Sequence, residues 1–184
     1  FNRLEGADCL IDNLLNDVDP LMRRAGVQSI AMAYCGTGCN NAIRQLLYVA
    51  VSDVHNDVRR AAVQAIGFVM FRQPEQCPGL VSPLLESFNP HVRYGAALAL
   101  GIACCGTGSI AALELLVPLI KDSTPFVRQA ALIASALIAV QHNALTCSKS
   151  KEFRDIYQRV ISDKMETVMV KFGAISSEGT HITT

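Results

Sequence analysis

Asn89-Pro90-His91-Val92-Arg93-Tyr94-Gly95-Ala96-Ala97-Leu98-Ala99-Leu100-Gly101-Ile102-Ala103-Cys104-Cys105-Gly106-Thr107-Gly108 reads as one helix with both ends marked. Asn89 is a good N-cap, and Pro90 suits the first helical position, where its missing N–H costs nothing. Alanine and leucine, strong helix formers, fill the middle turns. Gly106 and Gly108 end the helix, because glycine adopts the left-handed backbone of a C-cap without steric cost. Gly95, Ala96, Ala99, Gly101 and Ala103 keep its surface thin, so it is suited to close approach by other helices.

The same pattern recurs along the chain. Arg93 has equivalents at Arg23, Arg59 and Arg128, at intervals of 36, 34 and 35 residues. Three positions before these arginines stand Pro20, Asn56, Pro90 and Pro125, and one before stand Met22, Val58, Val92 and Val127. Eight positions after come Ala31, Gly67, Gly101 and Ala136, all small. A helical period near 35 residues predicts an α-solenoid, in which each unit buries its apolar face only against its neighbours. The fold class is therefore all-α, a right-handed array of helix pairs that forms part of a larger array.

Working outward, residues 1–6 read as the end of a preceding unit, and residues 7–15 as its second helix, with Leu10, Ile11, Leu14 and Leu15 in a stripe. The first complete unit opens at Pro20, and its partner helix over 41–51 places Ile43, Leu46, Leu47 and Ala50 on one face. The second opens near Asn56; Pro74 and Pro78 break it where the glycine pair is missing, and a short helix follows over about 79–87. In the third, Ile110, Leu113, Leu116 and Val117 form the expected buried stripe over 109–120, and Pro118 predicts a kink or an early end. The fourth opens at Pro125 and is almost wholly apolar from Ala130 to Val140, which predicts cover on all sides. A polar loop over 141–150 leads to an amphipathic helix over 153–161. Val170-Lys171-Phe172-Gly173-Ala174 then starts a fifth unit, and the lack of an apolar stripe over 176–184 predicts an irregular tail. The expected organisation is about four helix-pair repeats with partial repeats at both ends over residues 1–175, then that tail.

Composition narrows the function. Apolar residues make up 51% and charged residues 17%, and the net charge is zero. With the anchor arginines spread one per unit, no basic stripe predicts a nucleic-acid partner. The longest uncharged apolar runs fall short of the ~20 residues that cross a bilayer, which predicts no membrane partner. Seven cysteines, an odd number set mostly in apolar helix patterns, read as buried free thiols of a reducing compartment, cytosol or nucleus.

Three sets of residues are candidates for structural roles. Asp17, Asp53 and Asp122 precede Arg23, Arg59 and Arg128 by six positions, and Glu86 precedes Arg93 by seven. These predict a ladder in which each carboxylate bridges to its own or the next arginine, a role that suits the guanidinium fork. Ala31, Gly67, Gly101 and Ala136 are the expected close-packing positions; at Gly101, alanine should be tolerated and leucine overpack. Gly36-Thr37-Gly38 and Gly106-Thr107-Gly108 follow helices rather than strands, so they read as inter-helix turns and not phosphate loops. The cysteines lack zinc spacings, the four histidines are isolated, and no nucleophile–base arrangement recurs. The sequence predicts no catalytic residue, metal, cofactor or small-molecule substrate.

The six-residue Asp-to-Arg spacing is similar to that of HEAT repeats. The small residues and Gly-Thr-Gly turn, seen in Met32-Ala33-Tyr34-Cys35-Gly36-Thr37-Gly38 and Asn89-Pro90-His91-Val92-Arg93-Tyr94-Gly95-Ala96-Ala97, resemble more closely the proteasome/cyclosome repeats. So do Asp57-Val58-Arg59-Arg60-Ala61-Ala62-Val63 and Phe71-Arg72-Gln73-Pro74-Glu75-Gln76-Cys77-Pro78. That resemblance implies a non-catalytic scaffold of the proteasome regulatory particle, found in cytoplasm and nucleus, with the other regulatory-particle subunits as partners. The alternatives are a free HEAT-type adaptor or the related scaffold subunit of the anaphase-promoting complex. An adaptor groove would repeat an aromatic or charged residue, yet Tyr94 stands where other units carry Arg24, Arg60 and Gln129.

Overall fold

Prolines and short polar side chains start the principal helices. The computed structural model describes residues 3–142 and 146–182. Within them the chain forms α1 (Arg3–Leu15), α2 (Pro20–Ala33), α3 (Asn40–Ser52), α4 (Asn56–Val69), α5 (Cys77–Leu85), α6 (Pro90–Ala103), α7 (Ile110–Ile120), α8 (Pro125–Ala139), α9 (Ser150–Ser162) and α10 (Val168–Ile182). Among the described residues there is no strand. Asp19 and Asn89 cap α2 and α6 by accepting from the amides of Leu21 and His91, each at 2.9 Å, with proline in the first turn of each helix. This is the N-terminal chemistry that satisfies otherwise orphaned donors.

Even-numbered helices α2, α4, α6, α8 and α10 stack side by side as one layer, and α1, α3, α5, α7 and α9 lie against it. Each odd-numbered helix packs most closely on the helix that follows it, so α3 serves α4 more than α2. The repeat in the sequence pairs α2 with the helix after it; close packing instead joins the second helix of one unit to the first helix of the next. Apolar cover is continuous as a result. Ile30, Leu46, Ile66, Leu100, Leu113, Leu116, Leu132 and Ile138 are fully buried in one core that runs the length of the array. At roughly 1.5–3 kcal/mol for each fully buried large aliphatic side chain, this interior is the principal favourable term.

Helix α8 is covered on all sides, as its composition predicts, with α6 and α10 flanking it and α7 and α9 beneath. Pro118 lies inside α7, which ends two residues later at Ile120. The stripe expected there shifts: Ala112, Leu113, Leu116 and Leu119 are buried, while Ile110 is exposed and Val117 half-buried. The helix after Pro74 is Cys77–Leu85, with Pro78 in its first turn. On α1 Ile11 is buried and Leu10 is exposed.

Two further expectations are corrected. The tail expected to be irregular over 176–184 is helical as far as Ile182, and residues 183–184 lie outside the described residues. Its buried face carries small residues instead of an apolar stripe: Val170, Gly173, Ala174 and Ser177. The Ser177 hydroxyl donates to the Gly173 and Leu132 carbonyls at 2.8 and 3.0 Å, which places α10 tightly on α8. Nor are the cysteines mostly buried: Cys77, Cys104 and Cys147 are, whereas Cys9, Cys35 and Cys105 are exposed and Cys39 is half-buried. All seven are free. Hydrogen bonding with Cys104, together with burial, pushes the Cys77 thiol well above its ordinary value and keeps it protonated. Of the loop expected over 141–150, residues 143–145 lie outside the described residues.

Candidate functional site

The ladder residues lie along one rim, where the loops enter the even-numbered helices. Arg23 Nε and Nη2 donate to the two Asp53 carboxylate oxygens at 2.7 and 3.1 Å. Arg93 makes the same fork to Asp122 at 2.7 and 3.0 Å. Each arginine's Nη1 turns back to its own loop: Arg23 to the Asp17 and Val18 carbonyls at 3.0 and 2.9 Å, and Arg93 to those of Ser87 and Phe88 at 2.9 and 3.0 Å. Arg128 joins the Asp122 and Ser123 carbonyls at 2.7 and 3.3 Å and reaches Glu166 at 2.6 Å.

This corrects the ladder's register. A carboxylate bridges neither its own arginine nor the next one, but the arginine of the preceding unit. The six-residue spacing reflects the backbone carbonyl of the earlier residue, which the arginine uses as a latch. Asp17 follows this rule: its carbonyl holds Arg23, while its carboxylate accepts from the Asp19 amide at 2.8 Å. Glu86 is exposed and forms no bridge to Arg93. Glu166 was missed by the sequence reading; the only available signal was an acid shortly before the Val170-Lys171 echo.

Charge and burial set the electrostatics. Burial opposes ionisation of Asp53 and Asp122, but the arginine hydrogen bond, a backbone amide and the guanidinium charge together hold both carboxyls below the usual range. For Glu166 the Arg128 hydrogen bond is the leading influence and has the same outcome. Arg59 differs from its counterparts. Its Nε donates to the Asp53 carbonyl, and among the described residues no carboxylate bridges it.

Gly-Thr-Gly turns do more than connect helices. Gly36 and Gly38 donate to the Phe68 and Val69 carbonyls at the end of α4, at 2.9 and 3.0 Å; Gly106 and Gly108 donate to Leu137 and Ile138 of α8 at 2.9 and 3.0 Å. Each turn thereby caps the C-terminus of the next unit's first helix, satisfying carbonyls that would otherwise be orphaned. All four glycines have φ between 60° and 68°. The close-packing positions are tighter than the sequence suggested. A Cβ on Gly67 would lie 2.6 Å from the Ala99 carbonyl oxygen, and one on Gly101 2.7 Å from the Ala134 Cα. Because backbone is the obstacle, the expectation that Gly101→Ala is tolerated is reversed. Ala31 and Ala136 are buried at the equivalent positions.

Among the described residues, no group of three His, Cys, Asp or Glu side chains could hold a metal, and no helix is long and apolar enough to cross a membrane. What this arrangement does is hold adjacent repeats in fixed relative positions at three places: the rim bridges, the glycine contacts and the capping turns.

Comparison with known proteins gives the same picture. The HEAT-repeat family matches residues 43–138. The chain is 62% identical over 180 residues to the 26S proteasome non-ATPase regulatory subunit 1 of Drosophila melanogaster. It is 53% and 51% identical over 179 residues to the Arabidopsis thaliana homolog B and the Dictyostelium discoideum subunit of that name. Each alignment covers 97% of this chain and 18% of the relative, so the chain spans under a fifth of their length. A crystal structure of an engineered protein superimposes with a TM-score of 0.55 at 18% identity, covering 96% of this chain and 78% of the other, a likeness of fold alone. With its period, its rim of bridged arginines and this match, the chain belongs to the HEAT-repeat family.

Proposed function

We propose that this segment is a non-catalytic scaffold within a proteasome regulatory particle, holding other subunits of that particle at fixed separations in the cytoplasm and nucleus. The observation that carries the reading is the 62% identity across nearly the whole chain to a subunit named as regulatory and non-ATPase. The geometry supports it, because charged links and direct glycine contacts tie neighbouring repeats into a stiff unit, and stiffness is what a spacer between subunits needs. The scaffold subunit of the anaphase-promoting complex is the less favoured reading, since the relatives bear proteasome names.

The test uses the full-length protein that carries this sequence. Affinity purification with quantitative mass spectrometry should recover regulatory-particle subunits in near-stoichiometric amounts, and Gly101→Leu should reduce that recovery. Recovery of a different assembly, or of none, would refute the proposal.

A further inference from the structure

Asp53 and Asp122 each do three things. The carbonyl latches the arginine six residues on, the side chain accepts from the amide two residues on (His55 or Thr124, at 2.7 and 2.8 Å), and the carboxylate bridges to the preceding unit's arginine. Ser87 is their equivalent in the third unit. It keeps the first two roles, its carbonyl accepting from Arg93 at 2.9 Å and its hydroxyl from the Asn89 amide at 3.3 Å. It has no carboxylate for the third. Arg59 is therefore held in a ladder site whose acid the sequence has replaced, and it lines a surface cavity of about 580 Å³ with Val51, Asn56, Ser87 and Phe88.

The surface beside it is apolar. Val18, Val54 and Phe88 occupy the same register position in successive units and are 94%, 88% and 101% exposed. The carbonyls of Val18 and Phe88 face inward to Arg23 and Arg93, so the side chains project outward. Val51 at the cavity is also exposed. An arginine without an acid, set within exposed apolar side chains, has the complement of a peptide bearing an acid within apolar neighbours.

We propose that this rim docks an extended segment of a partner protein: an Asp or Glu side chain takes the terminal Nη1/Nη2 edge of Arg59, and its flanking apolar side chains pack on Phe88 and Val51. In the sister links a planar carboxylate takes the Nε and Nη2 of the arginine through two parallel N–H···O bonds. Arg59 turns its Nε to the Asp53 carbonyl, so its two terminal nitrogens form the planar pair that meets the acid. A free phosphate would gain nothing from Phe88 or Val51. The surface rests on the ladder geometry and stands whichever assembly the protein joins.

The experiment restores the missing acid. Ser87→Asp should supply the bridge from within the chain, where the backbone turn is already formed, and close the site without loss of thermal stability. The probe is a library of blocked pentapeptides, each with a central Glu flanked by Leu, Val, Phe or Ala, and each beside its Gln twin. Binding to the full-length protein is read by fluorescence anisotropy. At least one Glu peptide should bind about tenfold tighter than its twin, and the preference should disappear in both Ser87→Asp and Arg59→Ala. The proposal is overturned if no peptide shows the preference or if the preference survives Ser87→Asp. Two other outcomes overturn it as well. One is binding indifferent to the flanking residues and displaced by millimolar inorganic phosphate; the other is self-association that Ser87→Asp abolishes in the absence of any peptide preference.

Discussion

Arg93 and Asp122, 29 residues apart in the chain, are joined by two parallel hydrogen bonds of 2.7 and 3.0 Å, with side chains only 16% and 9% exposed. The bridge ties α6 to the loop that starts α8, so one contact couples two repeats. Asp122 also latches Arg128 through its carbonyl at 2.7 Å. A single residue thus serves the rim links on both sides of it.

Removing that carboxylate should be felt across the array. Asp122→Ala strands a partly buried guanidinium and removes the cap on the Thr124 amide, a loss of about 2 kcal/mol. Arg93→Lys, which keeps the charge but loses the fork, should cost less. Urea unfolding of both variants checks the order, and equal stability of Asp122→Ala and the parent would contradict it.

Acid should loosen the same links. The carboxyls of Asp53, Asp122 and Glu166 lie below their ordinary values in the folded chain. A depressed folded value means that the unfolded chain binds protons first on acidification. The contribution is therefore complete above the unfolded carboxylate value of about 4 and is lost as pH falls through the folded values beneath it. Unfolding free energies at pH 6, 4 and 3 should show a steep fall below about pH 4, shallower in Asp122→Asn. Parallel curves for parent and variant would remove the ladder from the acid response.

Helix spacing at the glycine contacts predicts opposite signs at two glycines. Gly101→Ala drives a Cβ into the backbone of Ala134 and should cost about 1–3 kcal/mol, with Gly101→Leu worse. Gly79, in α5, has nothing within 4 Å of its would-be Cβ. Gly79→Ala should raise stability by up to about 1 kcal/mol through helix propensity. Thermal unfolding of the pair decides; destabilisation at both sites would mean that propensity plays no part.

Capping turns offer a graded comparison. Gly106 has φ +68° and only the Val140 side chain near its would-be Cβ, at 3.6 Å, so Gly106→Ala should cost about 1–2 kcal/mol of left-handed backbone strain alone. Gly108 adds a clash with the His142 ring at 2.9 Å, so Gly108→Ala should cost more. In both variants the amide hydrogen bonds to Leu137 and Ile138 weaken, and hydrogen exchange at residues 106 and 108 should speed up. An equal cost for the two would show that the His142 ring yields freely.

The period, the helix starts at Pro20, Asn56, Pro90 and Pro125, and the small residues at Ala31, Gly67, Gly101 and Ala136 were all legible in the sequence. Each is a local signal: a cap, a proline or a residue without bulk. The partner of each arginine was not legible. A repeat shows which residues are equivalent, but the displacement between units is set by how the helices pack. Close contacts such as Gly101 on Ala134 bring Asp122 within reach of Arg93 and leave its own Arg128 only the backbone carbonyl. The continuation of α10 was hidden for a related reason, since Gly173, Ala174 and Ser177 form no hydrophobic stripe and become a buried face only when α8 lies against them. The exposure of Cys35 and Cys105, and the open guanidinium edge at Arg59, likewise depend on which surfaces the stacked neighbours cover.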